Sequence, residues 1–69
     1  MIDKEQERKR IGERIKEIRQ NQGMTQEELG TRTGIQRNHI TRIEKGRYSV
    51  GFDTLENIAE VLGKKIDFI

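Results

Sequence analysis

Residues 25–46, TQEELGTRTGIQRNHITRIEKG, restrict the fold more than any other stretch of the chain. They hold two short amphipathic helical patterns separated by Thr33-Gly34-Ile35. A glycine at that point lets the backbone take a positive φ and swing from one helix into the next within a few residues. Across such a corner Leu29 and Ile40 can face each other. Gly30 lies inside the first pattern, where glycine costs about 1 kcal/mol relative to alanine. Its presence points to a packing reason, a close approach of the two helix axes. In the second pattern Ile40 and Ile43 fall on one side of the wheel, with Ile35 leading in. Arg37, Asn38, Thr41, Arg42 and Lys45 occupy the opposite arc, which contains no acid.

The flanking segments read as support for this pair. Ile11, Ile15 and Ile18 recur at i, i+4 and i+7, a narrow apolar stripe for a first packing helix, with Arg19 at its edge. That helix is expected to end near Gln22, with Gly23 as the left-handed residue beyond it. Thr25-x-x-Glu28 forms a capping box that opens the second helix. Gln36 is expected at the N-cap of the third, where its long side chain makes it a poorer cap than serine or threonine. Gly46 stops that helix, residues 47–51 form a loop, and Asp53-x-x-Glu56 is expected to cap a last helix. Leu55, Ile58, Ala59 and Leu62 form its core stripe, Val61 lies at the edge, and Gly63 closes it.

Both ends are more ambiguous. Residues 1–10 are mostly charged and read as a helix entry or a solvated arm, against an alternative in which Arg8, Lys9 or Arg10 reaches a phosphate. In residues 64–69, Ile66 and Phe68 alternate with polar residues as in a short strand with one apolar face. That tail either joins helix four in a contact between two copies or folds onto its own core. The expectation is therefore an all-α, compact domain of four to five helices over residues 11–63, with a charged entry and a short extended tail.

A chain of 69 residues has room for one domain near the lower size limit of an unaided hydrophobic core. With no cysteine and one histidine, neither disulfides nor a structural zinc site can staple it, so stability is expected to come from helix packing, with dimerisation as a further source. Charged residues at 38% against 30% hydrophobic raise the question of disorder. Helical spacing of the apolar residues and a net charge of only +2 argue against it. No apolar run approaches a membrane span or signal peptide, so a soluble, cytoplasmic chain is expected. One histidine, one serine and no cysteine leave no nucleophile–base constellation, so neither an enzyme nor a cofactor is expected. Aromatic residues at 4% provide no platform for stacking single-stranded RNA. His39 flanks the core side of the third helix, and no second metal ligand lies near it in the sequence.

The charge distribution says more than its total. Arg37, Arg42, Lys45 and Arg47 share a short segment with one acid, Glu44, whereas residues 52–69 carry Asp53, Glu56, Glu60 and Asp67 against Lys64 and Lys65. The residue types on the basic arc match the chemistry of a DNA groove. Arg37 and Arg42 could each fork onto guanine O6 and N7, Asn38 could bridge adenine N6 and N7, and Thr41 could pack its methyl on thymine. Lys45 and Arg47 suit phosphates on either side, and Tyr48 could pack its ring while its hydroxyl meets another.

The run over residues 11–62 resembles the Cro and phage-repressor type of helix-turn-helix domain, the XRE family. The carriers are Arg19, Met24-Thr25-Gln26-Glu27-Glu28-Leu29, Gly34-Ile35, Ile40, Arg42-Ile43-Glu44-Lys45-Gly46 and residues 55–62. Gln36 departs from the serine or threonine common in that family, and the tail is too short for a further helix. The resemblance implies a transcriptional regulator, most often a repressor, that reads the major groove of double-stranded DNA with the helix from about residue 36 to 45. It further implies a homodimer on an inverted-repeat operator, phosphate contacts from Gln26 and Gln36, and a structural ion pair between Arg19 and Glu44. A second expectation keeps the fold and changes the partner: an antitoxin that also masks a toxin, or an adaptor whose helix-turn-helix face binds protein.

Overall fold

In a computed structural model, which describes residues 1–68, the chain forms four helices in the order α1 (Lys4–Asn21), α2 (Gln26–Thr33), α3 (Arg37–Glu44) and α4 (Phe52–Val61). Ile69, the last residue of the expected tail, lies outside the described residues.

The first helix begins well before its apolar stripe. Asp3 supplies the N-cap, its carboxylate accepting from the amides of Glu5 at 2.9 Å and Gln6 at 3.3 Å. Side chains three and four apart then pair along the exposed surface, Lys9 with Glu5, Arg10 with Glu7 and Arg14 with Glu17. Such exposed pairs are screened by water and each adds little to stability. Here they make a helical turn out of residues that have no core to bury. Gly23, at φ 69°, ends α1 in the left-handed conformation expected of it.

The capping box at the start of α2 is present in both directions, with the Glu28 amide donating to Thr25 Oγ1 at 3.0 Å and the Thr25 amide to Glu28 Oε1 at 3.2 Å. Gln36 caps α3 by backbone conformation alone, without a side-chain hydrogen bond. The last helix corrects one expectation: its N-cap is Gly51, and Asp53 sits inside the first turn. The Asp53 carboxylate makes no capping hydrogen bond there and acts through its charge near the positive helix end.

Leu29, Ile40, Ile43 and Ile58 form the fully buried centre, joined by Ile15, Met24 and Leu62. Ile11, Ile18, Ile35, Tyr48, Val50, Leu55 and Val61 pack around it while remaining partly exposed. The third helix packs on both α1 and α2, and α4 closes the far side of α2. Two side chains tie α4 in place: Asn57 Nδ2 donates to the Thr33 carbonyl and Gln22 Nε2 to the Leu62 carbonyl, each at 2.8 Å. Residues 64–68 adopt no regular element, and Phe68 is fully exposed. No helix among the described residues is long and apolar enough to cross a membrane.

Candidate nucleic-acid interface

The corner that aims α3 is held by three devices. Gly34 takes φ 76° and ψ 16°, a conformation that an ordinary side chain disfavours. Thr33 Oγ1 donates back to the Leu29 carbonyl at 2.7 Å and accepts from the Ile35 amide at 3.3 Å. At Gly30 a Cβ would stand 2.5 Å from the Ile35 carbonyl oxygen, so the missing side chain admits the turn that leads into α3. The packing reason expected for Gly30 is thus a contact between helix and turn.

Beyond the corner, Ile40, Ile43 and Glu44 are buried, while Arg37, Asn38, Arg42 and Lys45 are exposed. Gln36 and Arg47 are exposed at the two ends of the helix, and Thr41, Gln26 and Tyr48 are half-buried at its edges. The basic arc expected from the wheel therefore faces outward as one surface. Its lower side is anchored by apolar burial, so the arginines can be held out without unfolding the helix.

Glu44 carries a buried negative charge beneath this surface, and its partners explain how. Arg19 forks onto it, Nε to Oε2 at 2.7 Å and Nη2 to Oε1 at 3.0 Å, with only 6% of Arg19 and 4% of Glu44 exposed. The remaining Arg19 Nη1 donates to the Met24 carbonyl at 2.8 Å, which binds the loop between α1 and α2 into the same cluster. This is the ion pair that the resemblance implied. A buried pair of this kind is tolerated because every polar atom in it has a partner.

The cluster extends to the edge of the exposed arc. Gln26 Nε2 donates to Glu44 Oε1 at 3.0 Å, and Thr41 Oγ1 donates to Gln26 Oε1 at 2.9 Å. Gln26 nevertheless keeps a second amide hydrogen for a ligand such as a phosphate. Along the other edge, the loop after α3 folds back so that the Tyr48 and His39 rings lie 4.4 Å apart at 60°. The Arg42 guanidinium carbon stands 5.8 Å from the centre of the Tyr48 ring, within reach of a cation–π contact. His39 is accordingly a packing residue beside Tyr48.

Two contributors, Gly12 and Glu27, escaped the sequence reading. A Cβ at Gly12 would stand 2.5 Å from the carbonyl oxygens of both Ile43 and Glu44, so α1 touches the last turn of α3 backbone to backbone. Arg8 and Lys9 of α1 line an open recess of about 800 Å³ together with Lys45 and Arg47, and Glu5 and Glu13 share it. Glu27, in the first turn of α2, lines a recess with Arg37 and places an acid at the border of the basic arc. The sequence had left a phosphate contact open for Arg8 and Lys9, whereas the places of Gly12 and Glu27 depend on how α1 and α2 cross α3.

Comparison with known proteins agrees with this geometry. Residues 15–69 match the helix-turn-helix family. The chain is 45% identical over 56 residues to an uncharacterised helix-turn-helix transcriptional regulator of Archaeoglobus fulgidus, covering 81% of this chain and 79% of that protein. A similar regulator of Methanothermobacter thermautotrophicus is 45% identical over 51 residues, 74% of each chain. The immunity repressor of Bacillus phage phi105 is 36% identical over 59 residues, which span 86% of this chain and only 41% of the repressor. With its glycine corner, its buried Arg19–Glu44 pair and its outward basic helix, the chain belongs to the Cro and phage-repressor type of helix-turn-helix proteins, a family of DNA-binding transcriptional regulators and not of enzymes.

Proposed function

We propose that this protein is a sequence-specific repressor that enters the major groove with the exposed face of α3 and binds an inverted repeat as a two-fold dimer. The observation that carries the proposal is the division of α3 itself, with Arg37, Asn38, Arg42 and Lys45 outside and Ile40, Ile43 and Glu44 inside. Arg37, Asn38, Thr41 and Arg42 are the base readers. Gln26, Gln36, Lys45, Arg47 and Tyr48 hold phosphates around them. Similarity to a phage immunity repressor supports repression as the direction of control.

One helix of eight residues covers few base pairs. Two copies on half-sites about one helical turn apart define a longer site and add affinity. Phe52 on α4 and the tail residues Ile66 and Phe68 are exposed apolar side chains that a second copy would cover.

Selection from random duplexes followed by footprinting tests the proposal. A palindromic consensus is expected, with Arg37→Ala losing about 1–3 kcal/mol and relaxing preference at one position. Lys45→Ala is expected to weaken every sequence alike and to reduce the slope of log affinity against log salt by about 0.9. Absence of any preferred duplex refutes the proposal.

A further inference from the structure

Thr41 sits on the boundary between the buried and exposed faces of α3, and its hydroxyl has a single proton. Two acceptors lie within reach, Gln26 Oε1 at 2.9 Å and the Arg37 carbonyl at 3.1 Å, and both belong to the protein. The orientation of the Gln26 amide is not free. Its Nε2 faces Glu44 Oε1 at 3.0 Å, and an ionised carboxylate can only accept, so the amide oxygen must be the end turned toward Thr41. Glu44 in turn is pinned by the two-pronged contact from Arg19. A chain of forced choices thus runs from α1 through α3 and α2 to the reading surface.

Threonine in a helix divides between two χ1 rotamers, and fixing Oγ1 fixes the γ-methyl as well. We propose that Gln26 is a positioning residue for base reading: it holds the Thr41 hydroxyl inside the protein and leaves the Thr41 γ-methyl to meet the 5-methyl group of a pyrimidine. The proposal rests on the reading of α3 as the helix that enters the groove. It gives Gln26 a role distinct from phosphate binding. A phosphate contact moves affinity for all sequences together, whereas a positioning contact moves preference at one base.

Thymine and 5-methylcytosine both carry the group in question, so the test separates them. The full chain is titrated with its selected duplex, with duplexes in which each thymine of a half-site is replaced singly by uracil, and with cytosine and 5-methylcytosine at the responsive position. Removing one methyl from the contact is expected to weaken binding about fourfold at a single thymine per half-site. 5-Methylcytosine there is expected to bind more tightly than cytosine. Thr41→Ser should abolish the uracil penalty, and Gln26→Leu should shrink it below about twofold while leaving the ranking at other positions. In the free protein, three-bond couplings of Thr41 should report one χ1 rotamer, a measurement that needs no variant to fold. Averaged couplings, a selected duplex without a uracil-sensitive thymine, or a folded Gln26→Leu protein with the wild-type uracil profile overturns the proposal alone. A chain that prefers no duplex overturns the reading of α3 beneath it, and does so before any uracil is introduced.

Discussion

Replacing Gly12 with alanine sets two effects of opposite sign against each other. On helix propensity alone, alanine in the interior of α1 should stabilise the chain by about 1 kcal/mol. The added Cβ, however, would lie 2.5 Å from the carbonyl oxygens of Ile43 and Glu44. That is about 0.9 Å inside an ordinary contact of 3.4 Å, and both obstacles are backbone atoms that cannot rotate away. The last turn of α3 must therefore retreat from α1, at an overpacking cost of about 1–3 kcal/mol. The same retreat stretches the 2.7 Å bond between Arg19 and Glu44, a charge-assisted interaction worth about 1.5–3 kcal/mol. The net expectation is a loss of about 2–4 kcal/mol. A chain of this length has only about 3–10 kcal/mol in total, so the variant should be close to unfolding at moderate denaturant. Urea titration followed by circular dichroism reads the difference directly. A Gly12→Ala protein as stable as the wild type, or more so, would show that α1 and α3 are not in backbone contact and would refute the reasoning.

The remaining predictions concern other parts of the fold. Arg19→Met leaves Glu44 buried with Gln26 as its side-chain partner and should cost about 3–5 kcal/mol, while Arg19→Met with Glu44→Leu should recover much of that loss; a double variant no better than the single one contradicts the stranded-charge account. Gly51→Asp gives α4 the side-chain cap it lacks and should raise stability by about 0.5 kcal/mol, so an unchanged or lower melting temperature counts against Gly51 as the N-cap. The Arg10 guanidinium, hydrogen-bonded to Glu7, holds that carboxyl below the usual glutamate range. The contribution of the pair is present above the ordinary glutamate range and is lost as pH falls through the lowered folded value, so Glu7→Gln should flatten the acid limb of the stability curve. Identical acid limbs would show that the pair does not persist in solution.

Local chemistry in the sequence was enough to place the corner, the second helix and the outward arc. The capping box of Thr25 and Glu28, the positive φ at Gly34 and the stripe of Ile40 and Ile43 depend on dihedral preference and a period of 3.6, which neighbours along the chain decide by themselves. The start of α1 at Lys4 was less legible, because its first two turns rest on exposed ion pairs rather than on an apolar stripe. Asp53 was misplaced because the capping pattern occurs equally well within the first turn of a helix.

A helical wheel says which way a side chain faces and nothing about what it meets there. The crossing of α1 over α3 decided that Gly12 must be glycine, and the packing of the loop between α1 and α2 decided that Met24 is buried with its own carbonyl bound by Arg19. The placing of α2 beside α3 decided that Gln26 joins Glu44 to Thr41. These are contacts between residues distant in the chain, fixed by the packing of three helices at once, and no periodicity within one helix encodes them.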